Sequence, residues 1–161
     1  MRMIKTLVMS LSLVLIFQSA IAAEAKNQPV SDAAMPTAIL KYINQYRIKH
    51  HLKPLTMNNI ASEEAKKHSS DMARHSIPFG HKGFNNRIKR LYKEIKQCQG
   101  GAENVAYNYK TAKIVVEQWL TSPGHRRNIV GNYNLTGVGI ARDKRGKIYY
   151  TQIFLHSTRA G

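Results

Sequence analysis

The sequence predicts an α+β domain in which helices cover a central three-stranded antiparallel sheet. Three observations carry that expectation. Apolar residues recur at helical spacing through three successive stretches before any strand signal appears. A strand-like run at 102–107 then interrupts the helices, and one more helix follows it. Finally, residues 135–142 and 147–155 flank the turn Asp143-Lys144-Arg145-Gly146, which is the pattern of a β-hairpin. Helices first and strands late is α+β order, and 161 residues fit one domain.

The first 22 residues stand apart. Arg2 and Lys5 form a basic start, an apolar core runs from Leu7 to Phe17, and Ala20-Ile21-Ala22 is a small-residue cleavage site. This is the pattern of a secretory signal peptide, too short for a comfortable membrane span. No cysteine sits at the cleavage site, which argues against a lipid anchor. No second apolar run follows, so the expected mature chain is secreted or periplasmic, with no transmembrane segment, and monomeric. Residues 23–35 are small and polar and read as a flexible lead-in, and the domain proper is expected over 36–157.

In the helix at 36–49, Ile39, Ile43 and Tyr46 recur at helical spacing and Leu40 widens the stripe, with Ser31 or Asp32 as cap candidates. Pro54 ends that region and Leu55 returns to the core. In the helix at 59–74, Ile60, Ala61, Ala65, His68 and Met72 share a face, so His68 reads as a satisfied core histidine. The segment from Ser76 to Gly83 is a loop by its proline and glycine content, and it carries His81. A basic helix at 85–96 places Ile88, Leu91, Tyr92 and Ile95 inward and Arg87, Lys89, Arg90, Lys93 and Lys96 outward or sideways.

Gln99-Gly100-Gly101 reads as a break before the strand. Glu103 and Asn104 sit near the start of that strand, where such residues are rare, and a local rule that fails often marks function. Thr111 caps a helix to Leu120 that packs Ile114, Val115 and Trp119 or their neighbours. Ser122-Pro123-Gly124 then stops one helix and starts another, with Ser122 as N-cap and Pro123 at the first position. That geometry holds His125 on ordered backbone, with Asn128 one turn further on. Gly137 and Gly139 let a neighbouring segment approach the hairpin closely.

The chain carries 25 Lys and Arg against nine Asp and Glu, a net charge of +16. Removing the leader with Arg2 and Lys5 leaves +14. Such a charge favours anionic surfaces, among them phospholipid headgroups and cell-wall polymers. It lies in no recognition motif, so a specific nucleic-acid partner is not expected. Cys98 is the only cysteine, which excludes an intramolecular disulfide. Its neighbours Gln97 and Gln99 do nothing to lower its pKa, so a buried, inert thiol is the preferred reading over an interchain bridge or a nucleophile.

The segments Phe79-Gly80-His81, Gly101-Ala102-Glu103-Asn104, Trp119 through Ser122-Pro123-Gly124-His125-Arg126-Arg127-Asn128, Gly137-Val138-Gly139 and Tyr150-Thr151-Gln152 occur in that order. Together they resemble the CAP superfamily of cysteine-rich secretory, antigen 5 and pathogenesis-related proteins, in its compact bacterial secreted branch. The resemblance implies an α-β-α sandwich with a cleft lined by two histidines and two acidic residues. His81 and His125 match the histidines and Glu103 matches one acid. The second acid falls near Ser122, with Glu117 as the other candidate. Asn104, Ser122 and Asn128 are expected to support the cleft.

Two imidazoles and a carboxylate suit three roles. They form a structural polar cluster, a site for Zn²⁺ or another divalent cation through His81, His125 and Glu103, or an acid/base pair for hydrolysis. No Gly-x-Ser-x-Gly elbow and no His-Glu-x-x-His helix supplies a known hydrolytic constellation. The favoured reading is a secreted binding module for lipid or cell-envelope components. The alternative is a hydrolase of peptide or cell-wall substrates with His81, Glu103 and His125 as its catalytic residues.

Overall fold

The last strand organises the domain. In the computed structural model, which describes residues 31–158, the elements run α1 (Met35–Lys49), β1 (Thr56–Met57), α2 (Asn59–Ala73), α3 (Phe84–Glu94), β2 (Cys98–Tyr107), α4 (Ala112–Thr121), α5 (Pro123–Ile129), β3 (Leu135–Arg142) and β4 (Ile148–Ser157). The expected signal segment, the part of the expected lead-in up to residue 30 and residues 159–161 lie outside the described residues. β4 is the longest buried stretch, with only His156 reaching partial exposure. It pairs antiparallel with β3 on one side and with β2 on the other.

The sheet therefore differs from the expected one. It is mixed and four-stranded, ordered β1-β3-β4-β2, because β1 adds a short parallel edge to β3. Two residues between Pro54 and the helix cap Asn58 carry no alternation, so this strand leaves no periodic signal. It is held from outside: Thr56 N–H donates to Asn134 O and Asn58 N–H to Thr136 O.

β4 alternates its side chains between two helical layers. Ile153 and Leu155 pack with Ala61 and Ala65 of α2 and Ile88 and Leu91 of α3. Tyr150 and Phe154 pack on the opposite face with Ile39 and Ile43 of α1 and Val115 and Trp119 of α4. The expected close approach at the hairpin is present. A Cβ on Gly137 would strike the α2 backbone at Ala61 and Ser62, and one on Gly139 would strike it at Ala65 and Lys66. Trp119 is fully buried, and its Nε1–H donates to Val105 O at 3.1 Å, tying α4 to β2.

Several local expectations shift by one helical position. Ile60 and Tyr92 are exposed rather than inward, and in α4 Val115, Val116 and Trp119 are buried while Ile114 is exposed. Arg47 and Arg87 are buried instead, and both fall on the inner stripe: Arg47 lies four residues after Ile43, and Arg87 three after Phe84 and four before Leu91. β2 also starts earlier than expected. Gly100, at φ +65, absorbs a register shift between Gln99 and Gly101, so the two glycines form a bulge inside a strand and not a break before one.

Candidate functional site

β2 is an edge strand, and the site forms along it where the two helical layers meet. Glu103 points toward α2 and α3, and Asn104 toward α5. Glu103 is buried. Arg87 grips it with two hydrogen bonds, Nε to Oε2 at 2.9 Å and Nη2 to Oε1 at 2.8 Å. His81 Nδ1–H donates to Oε1 at 2.9 Å. A carboxylate can only accept, so Nδ1 of the half-exposed His81 ring carries a proton.

Burial pushes the Glu103 carboxyl up, but the hydrogen bonds from His81 and Arg87 and the Arg87 charge outweigh it. Its pKa falls below the ordinary carboxylate value. Glu103 stays ionised, with both oxygens engaged.

His68, fully buried on α2, closes the other side. Its Nε2 lies 2.9 Å from Gly80 O, 3.2 Å from Arg87 Nη2 and 3.7 Å from Glu103 Oε1, while its Nδ1 has no partner. We assign the proton to Nε2, donating to Gly80 O, since an orphaned lone pair at Nδ1 costs less than an orphaned N–H. Burial, more than any neighbouring charge, drives its pKa down, so the ring is neutral. Gly80 presents that carbonyl at φ +136, a conformation side-chain-bearing residues rarely adopt. His68 thereby pins the loop one residue before His81. Arg87 pins the next turn by donating from Nη1 to Lys82 O at 2.8 Å.

The other half comes from α5. Ser122 occupies its N-cap position, but the hydroxyl makes no capping bond; the helix starts instead on the Ser122 carbonyl, which accepts from Arg126 N–H at 2.9 Å. Asn104 Nδ2 donates to His125 O at 3.2 Å. Asn128 Nδ2 donates to Glu103 O at 3.2 Å and to Asn104 Oδ1 at 2.8 Å, so it covers the open edge of β2. Desolvation, helped by the nearby charge of His81, lowers the His125 pKa and keeps its ring neutral at pH 7. Glu117 does not join this group. It lies exposed on α4, 3.8 Å from Lys113.

The structure thus brings together His81, Glu103, Asn104, Asn128 and the backbone of His125. It adds Arg87 and His68, to which the sequence reading gave no part in the site. The signal for Arg87 was its helical phase, hidden in a basic run whose other members face solvent. Cys98 is half-buried, and burial raises its thiol pKa, as an inert thiol requires.

The comparisons with known proteins cover the whole of this region. Residues 40–154 match the CAP model, the cysteine-rich secretory protein family. The chain belongs to the CAP family. It is 36% identical over 119 residues to the uncharacterized membrane protein YlbC of Bacillus subtilis (strain 168), a match covering 73% of this chain and 33% of that protein. It is 31% identical over 129 residues to the uncharacterized protein YkwD of the same organism, covering 79% and 49%. The chain spans a third to a half of the length of these curated relatives. Among solved structures, an outer surface protein from Borrelia burgdorferi superposes with a TM-score of 0.67 at 18% identity, over 76% of this chain and 92% of that one. At that identity the likeness is one of fold alone. Among the described residues no helix is long and apolar enough to cross a membrane.

A divalent cation is one group this donor set brings into question. Among the described residues, no cluster of three or more His, Cys, Asp or Glu side chains has metal-holding geometry. Glu103 fits poorly as a ligand, because its oxygens already take three N–H donors. It fits instead as the partner that orients the His81 imidazole, so the rings of His81 and His125 are the candidate donors.

Proposed function

We propose that this CAP domain is an exported binding module for lipid or cell-envelope components, with the groove at His81, Glu103 and His125 as its recognition site. One observation carries the preference for binding over hydrolysis. The only buried carboxylate of the site is held by Arg87 and His81 and kept ionised at low affinity for protons. A general base must be free to take a proton, and a general acid must hold one near neutral pH. Glu103 does neither well. Among the described residues no hydroxyl or thiol hydrogen-bonds to the ring of His81 or His125. The groove beside Glu103, about 300 Å³ and lined by His81, Phe84, Gly101, Ala102, Glu103 and Asn128, is shallow and open, which suits recognition of an extended ligand. The description of the Borrelia burgdorferi neighbour as an outer surface protein supports an extracellular setting.

A second reading has its own support. The Nδ1 of His81 is spent on Glu103, so Nε2 is the atom of that ring left for a ligand bond, and His125 is neutral, the state a Zn²⁺-type ion requires. When bound, such an ion would add a positive centre for an anionic ligand group. His81 and His125 would hold it and Glu103 would fix the His81 ring.

One experiment serves both readings. Wild type and His81→Ala/His125→Ala are compared for metal content after purification, for binding to phosphatidylglycerol vesicles and soluble cell-wall fragments, and for cleavage of peptide and peptidoglycan substrates. The expected result is weaker binding by the double variant and no cleavage by either protein. Cleavage by wild type that vanishes in the double variant would replace the binding reading with the hydrolase. Equal metal content in the two proteins would remove the metal from the site.

A further inference from the structure

We infer that the cavity between the end of α2 and the β3–β4 turn is a second ligand site, for a soluble chain bearing phosphate esters. The cavity measures about 730 Å³, within the range of small-ligand sites. Its wall includes Arg74 and His75 after α2, Tyr107 at the end of β2, and Lys144, Arg145 and Lys147 from the turn. It is distinct from the groove: Tyr107 and Glu103 share a face of β2 but lie four residues, or about 13 Å, apart.

The local acids are already committed. Asp143 Oδ1 accepts the backbone N–H groups of Arg145 at 2.8 Å and Lys147 at 2.9 Å. Asp32 holds Arg142 through two 2.7 Å hydrogen bonds, and Asp71 holds Arg74 at 2.7 Å. Among the described residues no ion pair engages Lys144, Arg145 or Lys147. Three cations without an ion-pair partner therefore sit within four residues, beside the single carboxylate of Asp143, so the turn is net positive.

Their backbone is also fixed in advance. Asp143 N–H donates to Lys147 O, Gly146 N–H to Asp143 O, and Arg142 Nη1 to Gly146 O at 2.9 Å. An anion that binds here does not have to order the turn, which lowers the cost of association. The negative end of α2 opposes any anion, and Arg74 is already paired, so the attraction rests on the turn. Phosphate suits it better than a single carboxylate, offering more acceptor oxygens to converging Lys and Arg donors.

Tyr107 lines the cavity and is backed by two further rings that do not. The Tyr107 ring lies 4.8 Å from that of Tyr149 and 6.1 Å from that of Phe79, and Lys147 Nζ stands 5.5 Å over it. This combination takes the carbon skeleton of an organic phosphate against Tyr107 and its charges on the turn. The recess favours a chain that enters it over a flat bilayer.

Tripolyphosphate titrated calorimetrically into the purified protein tests the charge requirement, with phosphatidylglycerol vesicles as the bilayer arm. Lys144→Ser/Arg145→Ser/Lys147→Ser should weaken tripolyphosphate binding by about tenfold or more and flatten its salt dependence. Lys89→Ser/Lys93→Ser/Lys96→Ser removes the same charge from exposed positions on and after α3 and should leave binding within about threefold. His81→Ala/His125→Ala should bind tripolyphosphate like wild type, which separates this inference from the reading of the groove. Equal losses in the two triple variants, loss in the histidine variant, or binding to vesicles without binding to tripolyphosphate would each overturn it.

Discussion

Two buried arginines do different work in this domain. Arg47 of α1 meets only neutral groups: Nε donates to Lys53 O at 2.8 Å, Nη1 to Ile129 O at 2.6 Å and Gly131 O at 3.1 Å, and Nη2 to Tyr133 O at 3.1 Å. It gathers the carbonyls at the end of α5 and locks that helix to α1. Arg87 of α3 meets a carboxylate and holds it in a site. Burial pulls the Arg47 pKa below its ordinary value, yet a guanidinium remains charged. A buried cation is therefore tolerated in two ways here, by converging carbonyl dipoles or by one ion pair. The first arrangement only positions backbone. The second also sets the charge state of the groove.

The largest expected effect comes from breaking the ion pair on one side. Arg87→Met leaves Glu103 buried without its cation and should destabilise the fold by about 3–5 kcal/mol, measured by urea unfolding at pH 7. Arg87→Met/Glu103→Leu should recover most of that loss, because an apolar pair removes both charges together. If the double variant is as unstable as the single one, Arg87 contributes through packing and the Lys82 contact, and the contrast with Arg47 disappears.

Arg47→Met should cost less, about 2–3 kcal/mol. It strands carbonyl acceptors and no charge. Only its contact with Ile129 O is fully buried, so water can reach the others. The same urea experiment gives the ranking, and a loss larger than that of Arg87→Met would reverse it. Because Arg47 grips the end of α5, its loss should also shift the NMR resonances of His125 and Asn128 while leaving those of His81 in place.

The difference between these arginines also explains what could be read from the chain. The hairpin, the four longer helices and the glycine contacts were legible because each rests on a period or a residue-specific backbone rule. Glu103 was legible as an anomaly, a carboxylate where a strand has no local use for one. Arg47 and Arg87 were hidden because a basic residue defaults to solvent, and only their spacing to Ile43, Phe84 and Leu91 placed them inward. β1 was hidden because two residues have no period. The partner that neutralises Glu103 comes from a helix sixteen residues away, and nothing local to either residue announces the pairing.

Acid should separate the two regions further, with the smallest effect of the three near neutrality. His68 and His125 both have folded pKa values below the ordinary 6.5, so the unfolded chain binds their protons first. Their contribution to stability is present above 6.5 and is lost as pH falls from there toward the lower folded values. Glu103 follows the same sign lower on the scale. Its contribution is present above the ordinary 4.5 and is lost as pH falls through its depressed folded value. The Arg47 clamp contains no group that titrates in this range. Urea unfolding across a pH series should therefore show Arg47→Met parallel to wild type, offset by a constant. Arg87→Met/Glu103→Leu should converge on wild type only below about 4.5, where the carboxylate leg of the wild-type curve drops away. Convergence of Arg47→Met with wild type in acid would mean that its carbonyl clamp is coupled to the titrating groove, and that the two buried cations belong to one network.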